Sequence, residues 1–363
     1  MSLPGVIRFE EAYFDRIWGG MQLRTVLGKP TPEDRTIGEA WLVSDHANHE
    51  SVVADGPLAG TTLRALLASN AAALLGRRAS LTVHGRFPLL LKLLDSAQAL
   101  SVQVHPDDDD AAKLGEPDVG KTEMWHVLEG GEEGDLICGL DPSINALGFG
   151  AAIPDGSVER MMTRFPAPAG TSVFVPAGTV HAIGGGMLLA EIQQNSDLTY
   201  RIYDWGRVDD AGKPRELHIN KALAVTRFGS SHAGPTTPLS CRTNGLERAV
   251  HAACRYFATE RLTVDAPVSR DTRGDSFHIL LGVKGTVRVT ADGDAADVNV
   301  GEAVLIPGAV TRFALDGEGE VLDYYVPDLQ ADIATPLLAA GHAREAILRL
   351  GGAEDASDLN AVL

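Results

Sequence analysis

The sequence predicts a mainly β protein: two jelly-roll barrels with a small helical segment. Three observations carry this. Short apolar or alternating runs recur through residues 87–203, separated by turn residues. A second strand-rich block follows at 277–326. Regular strand–helix alternation, which a doubly wound fold needs, is missing. The 39 glycines and 19 prolines are spread along the chain, as many tight turns require.

In chain order, residues 6–9, 40–43 and 51–53 read as short strands, and 61–76 (TTLRALLASNAAALLG) as a helix. Strands are then expected at 87–94, 100–105, 123–128, 135–138, 171–175, 187–193 and 200–203. SSHAGPTTP at 230–238 reads as a linker. Strands at 277–289, 302–306 and 321–326 follow, then one amphipathic helix near 343–350. The implied division is a site-bearing domain at 1–236 with a helical insertion, a second barrel at 237–329 and a tail at 330–363.

With 363 residues there is room for two domains. The net charge of −18, with no basic patch, speaks against nucleic acid and anionic membrane as partners. No obligate protein partner is evident. Three cysteines without a C-x-x-C pair read as buried thiols in a reducing compartment. No apolar signal core or 18-residue apolar run is present, so the expected location is cytoplasmic.

GEPDVGKT at 115–122 matches the phosphate-loop pattern G-x-x-x-x-G-K-[ST], but its context is wrong. HPDDDDAAKL precedes it in place of an apolar strand, and Glu116 and Asp118 stand where phosphate would lie. The motif is refused, and Lys121 needs another role.

A metal site is the stronger reading. In LSVQVH at 100–105, Gln103 and His105 lie two apart and so project to one strand face. Taken alone, the pair also fits an edge strand with a solvated face. Glu123 shares a face with Trp125 and Val127, and by itself fits a solvated position. GTSVFVPAGTVH at 170–181 fits G-x5-P-x-G-x2-H, a strand, a turn at Pro176–Gly178 and a returning imidazole, His181. This is the second metal motif of the cupins. Two imidazoles, a carboxylate and an amide oxygen suit a borderline ion such as Zn²⁺.

QVHPDD, GKTEMWHVL, PAGTVHAIG and NSDLTYRIYDWGR, in that order, resemble the type I mannose-6-phosphate isomerases of the cupin superfamily, in their short bacterial form. WGG at 18–20, IGEAWLVSDH at 37–46, FPLLLKLLDS at 87–96 and RELHINKAL at 215–223 add to the likeness. The resemblance implies one Zn²⁺ per chain, held by Gln103, His105, Glu123 and His181. It implies a sugar phosphate as substrate, mannose 6-phosphate interconverted with fructose 6-phosphate through a cis-enediol. It places Lys92, Lys121, Asp197 and Arg201 in the active site and Trp18 near the substrate cleft.

For Lys121, a nearby dication is expected to lower the pKa and favour proton transfer. As lesser alternatives, Lys92 could snorkel at a strand end, Lys121 sit in a surface loop, and Arg201 pair with Asp197 or Asp204. His126 and His218 read as structural. In the second block GEAVLIP echoes the motif, but Arg312 stands where His181 would, and His278 has no Q-x-H around it. That barrel reads as metal-free. Two rival functions remain: a metal cupin acting on a different sugar phosphate, and a non-catalytic sugar-phosphate-binding cupin.

Overall fold

The structure is a computed structural model describing residues 3–130, 135–208, 212–229 and 234–363. Of the expected linker, residues 230–233 lie outside the described residues. The fold is mainly β, as expected, in two compact units. One comprises Met1–Ala12, Trp41–Lys92 and Thr236–Leu363; the other comprises Tyr13–Ala40 and Leu93–Pro235.

The units are therefore interleaved in sequence, unlike the contiguous division drawn above. The helix Leu63–Leu75 shows why. Thr62 caps it by accepting from the Ala65 amide, and it buries Leu63, Leu66, Leu67, Leu74 and Leu75. Its last turn is tied to the C-terminal block: Gly308 N donates to Leu74 O, Ala309 N to Ala73 O and Phe277 N to Leu75 O. Gly76 is left-handed at φ +83, and a Cβ there would lie 2.7 Å from Asp275 O. Only glycine allows that approach.

In this unit a sheet runs in the order Leu239–Thr243, Leu246–Ala253, Ala258–Val264, Arg312–Tyr325, His278–Ala291, Asp294–Asn299. Val268–Asp271 and Ala303–Ile306 pair alongside. Alternation drives Leu280, Val287, Val289, Phe313, Leu315 and Val321 into one apolar core. Arg312 points the other way and is exposed, 3.9 Å from the Asp271 carboxylate. Tail residues Ile333, Leu337, Ile347 and Leu359 pack on Leu239, Val250 and Tyr325. The tail is not one helix: π-helical Leu329–Ala334 runs into Thr335–Ala339, and Arg344–Leu348 is a separate short helix.

The other unit contains a five-stranded sheet ordered Tyr200–Tyr203, Val102–Val104, His181–Ile183, Asp135–Leu140, Met162–Pro166. A second layer pairs Met187–Gln194 with Glu123–Glu129, and that strand with Ser172–Val175. Leu136, Cys138 and Ile183 from the first layer meet Trp125, Val127, Val173 and Leu189 from the second. The outer face of the five-stranded sheet is covered by Phe149, Ala222 and Val225 from two helices, packed on Val102, Val104, Ile137 and Ile202. Among the described residues the sheets are open, not closed barrels. All three cysteines are buried free thiols, and burial pushes Cys138 and Cys254 up to about 12, which removes their reactivity.

Candidate metal centre

Ladder register brings the candidate ligands together. Gln103 is the cross-strand partner of both Arg201 and His181, so these three form one row on the inner face of the five-stranded sheet. Glu123 comes from the opposing layer, where its partner is Gln193. The turn before His181 is set by Gly178, left-handed at φ +84, whose amide donates to His105 O at 2.8 Å. The G-x5-P-x-G-x2-H motif thus positions its own histidine and also fixes the backbone of the other.

Ligand-capable atoms of His105, Glu123 and His181 lie within 4.8 Å of one another, and all three residues are buried. Each imidazole Nε2 is 3.4 Å from a Glu123 oxygen. His105 Nδ1 is 2.6 Å from Leu198 O and His181 Nδ1 is 2.8 Å from Thr179 O. A carbonyl can only accept, so each Nδ1 carries the proton and each Nε2 presents a lone pair. Burial holds both imidazoles neutral, with His105 lowered to about 3. The Gln103 amide nitrogen is placed 3.3 Å from His181 Nε2. Rotating that amide brings its oxygen to the same point.

Glu123 is the centre of the cluster. Both of its oxygens are buried and neither has a well-directed hydrogen bond. Burial opposes its charge, but the Lys121 ammonium outweighs this and holds it well below the ordinary carboxylate range. An ionised carboxylate and two lone pairs converging in a dry interior repel one another unless a cation lies between them. The donor set therefore fits a metal ion.

Lys121 ion-pairs with Glu123 at 2.8 Å, its Nζ 3.3 Å from His105 Nε2 and 3.8 Å from Glu191. Its amide bonds to Pro106 O, which ties it beside His105. Burial lowers its pKa, but Glu123 and Glu191 outweigh burial and hold the ammonium charged.

The refused phosphate-loop motif is explained as well. Helix Asp108–Lys113 precedes it, capped by Asp107, and the Gly120 amide donates to Asp108 where a phosphate would sit. Asp108 also accepts from Gln194, whose carbonyl accepts from Thr122 N. The acidic run is thus a cap and a brace for the strand carrying Glu123.

Arg201 is half-buried and donates to Ser101 Oγ at 3.3 Å and Glu216 O at 2.9 Å. Asp197 is exposed and acts on Lys121 through its charge. Trp18 is buried in the apolar cluster that contains Trp125. Lys92 falls in the other unit, buried, with its ammonium 5.4 Å from the Trp41 ring centroid. His126 bonds to Ser172 Oγ, and His218 Nδ1 accepts from the Arg201 amide.

Sequence reasoning missed Glu191 and Gln193. Glu191 accepts from Trp125 Nε1 at 3.1 Å, and Gln193 Oε1 is buried without a partner. The signal was available: in MLLAEIQQ both residues interrupt an apolar strand, on the face that pairs with Glu123 and Trp125.

Comparison with known proteins points the same way. A family model, "Phosphomannose isomerase type I, catalytic domain", matches residues 6–123, and "Mannose-6-phosphate isomerase, cupin domain" matches residues 248–326. The chain is 35% identical over 317 residues to "Probable mannose-6-phosphate isomerase GmuF" of Bacillus subtilis, covering 86% of this chain and 96% of that one. It is 33% identical over 308 residues to the mannose-6-phosphate isomerase of Streptococcus mutans, covering 85% and 94%. The crystal structure of the mannose 6-phosphate isomerase from Bacillus subtilis superposes with a TM-score of 0.80 at 29% identity, over 88% of this chain and 99% of that one.

Proposed function

The chain is an enzyme of the type I mannose-6-phosphate isomerase family, and from that premise we propose that it interconverts mannose 6-phosphate and fructose 6-phosphate through a cis-enediol(ate), using one Zn²⁺ per chain. The observation that carries this is Glu123: an ionised, buried carboxylate without a directed hydrogen bond, met by two imidazole lone pairs. Gln103, His105, Glu123 and His181 would hold the ion. When bound, the ion supplies a Lewis acid that stabilises negative charge on the sugar's C1 and C2 oxygens.

The chain's own residues do the rest. Lys121 presents a buried ammonium at the edge of the ligand cluster, 3.8 Å from Glu191, where it donates a hydrogen bond to a sugar oxygen. Arg201 lies in the ladder row of Gln103 and His181, and its planar cation offsets the charge that develops on the sugar or its phosphate. Asp197 tunes Lys121 through its charge. Trp18 and Lys92 stand as substrate-side candidates on their motifs. No redox cofactor is required, because the hydrogen moves within one molecule. Among the described residues no helix is long and apolar enough to cross a membrane. We read the enzyme as cytoplasmic.

The test is a coupled assay of fructose 6-phosphate formation from mannose 6-phosphate, before and after chelation and after zinc readdition. Activity should vanish with chelator and return with zinc. Full turnover in metal-free protein would refute the metal role, and turnover of a different sugar phosphate only would refute the substrate.

A further inference from the structure

We propose that the unit containing Thr236–Leu363 carries a second small-molecule site, a pocket floored by Arg248 and Arg270 that takes a phosphate group, free or attached to a small polyol. The cavity measures about 180 Å³ and is bordered by Thr243, Ser269, Arg273 and Asp332 above the two guanidinium groups. That volume accommodates one tetrahedral oxyanion.

The floor is built rather than incidental. Arg270 is 8% exposed. Its Nε pairs with Asp323 at 3.0 Å and its Nη1 donates to Glu260 at 2.8 Å. Among the described residues no hydrogen bond uses its Nη2, although the side chain borders the cavity. Arg248 is similarly buried, bonded to Glu260 by Nε and Nη2 and to Thr243 Oγ1 by Nη1. Each Nη carries two hydrogens, so Nη1 retains a second. Thr243 Oγ1 accepts from Arg248, and Ser269 adds an exposed hydroxyl.

The carboxylates nearby are already engaged. Asp332 accepts from Arg273 through one oxygen and from the Asp328 amide through the other. Asp271 Oδ1 accepts from the Arg273 amide. The pocket therefore offers fixed guanidinium donors to an oxyanion, with Asp332 engaged at both oxygens and Asp271 at one. Arg273 is left-handed at φ 57, a conformation an arginine adopts at a cost, and its guanidinium is clamped by Asp275 and Asp332. Glu260 and Asp323 offset the formal charge of Arg248 and Arg270. Recognition thus rests on fixed hydrogen-bond donors rather than on a long-range field.

The surroundings extend the match. Asn244, Ser269 and Asp271 also border an open groove of about 850 Å³. Thr263, Thr290 and Arg288 line its wall. With the phosphate on the arginines, the hydroxyls of a polyol would lie along that wall.

The experiment is calorimetric titration of the full chain with inorganic phosphate and with glycerol 3-phosphate, in wild type, Thr243→Asp and Ser269→Asp. Either substitution places a carboxylate at the pocket mouth. Phosphate bound at the isomerase site is common to all three proteins, so the difference isolates this pocket. Each variant should lose at least tenfold in affinity for one phosphate, while mannose 6-phosphate turnover in phosphate-free buffer stays within twofold and shows that the fold is intact. Tighter binding of glycerol 3-phosphate than of phosphate, abolished by Thr290→Phe, identifies a phosphorylated polyol; equal binding identifies free phosphate. Superimposable isotherms in wild type and both variants overturn the proposal.

Discussion

Each unit buries a group of charged side chains, and the two groups are built on opposite principles. In the C-terminal block Glu260 and Asp323 face Arg248 and Arg270, two charges against two, with Tyr325 and His278 filling the remaining lone pairs. In the other unit Glu123 and Glu191 face Lys121 alone, and both Glu123 oxygens lack a directed hydrogen bond. One group is closed; the other carries an uncompensated negative charge and converging lone pairs. A buried ion network whose carboxylates are all satisfied asks for no further cation. One whose acceptors are left over is shaped for something the polypeptide does not supply, and a dication would turn its formal charge from minus one to plus one. That value suits an enediolate.

The largest effect should come from neutralising the open group at its centre. Glu123→Gln keeps the shape and removes the charge, so metal content should fall to near zero and turnover by about 10³-fold or more. His181→Ala should behave alike. Metal analysis and kinetics on the same sample decide the matter. A metal-replete, fully active Glu123→Gln enzyme would erase the distinction between the two groups.

The closed group should respond in stability instead. Glu260→Gln leaves two guanidinium groups facing one carboxylate in a dry interior, which typically costs about 3–5 kcal/mol. Denaturant unfolding should show that loss, while turnover per folded molecule is unchanged. A loss below about 1 kcal/mol would mean that the network contributes little.

Much of the fold was legible because period-2 alternation is a local signal. LSVQVH, TYRIYDW and the 277–289 run all form strands near their expected bounds. The strand Leu246–Ala253 went unseen because LERAVHAA, rich in alanine and charge, reads as helix as readily as strand. The interleaving of units was hidden for a different reason. It depends on Gly76 and Gly308 letting two backbones touch, a contact more than 200 residues apart in sequence. Gln103, His105, Glu123 and His181 could be singled out because QVHPDD, GKTEMWHVL and PAGTVHAIG resemble family motifs, and the structure brings the last three of these residues within 4.8 Å of one another. Glu191 and Gln193 were not recognised because their role appears only through cross-strand register with Glu123 and Trp125.

Asp95 offers the smallest effect and sharpens the comparison most. Like Glu123, it is a buried carboxylate with an oxygen lacking a partner, Oδ1. Unlike Glu123, no ion pair to it is seen among the described residues. Its Oδ2 accepts from the Leu23 amide at 2.9 Å. Burial pushes its pKa up to about 6 from 3.8, and the amides of Leu23 and Gln22 only partly oppose this. A leftover acceptor without a cation should therefore take a proton rather than a metal. The folded state binds that proton more tightly than the unfolded chain does. The stabilisation is then fully present below about pH 4 and lost as pH rises through about 6. Asp95→Asn keeps the acceptor for Leu23 and removes the titration. The difference in melting temperature, variant minus wild type, should grow by a few degrees between pH 4 and pH 7. Taking the difference cancels the titration of every other group, including the metal ligands. A difference that stays constant across that range would show that Asp95 does not titrate there, and that a leftover acceptor alone does not predict proton uptake.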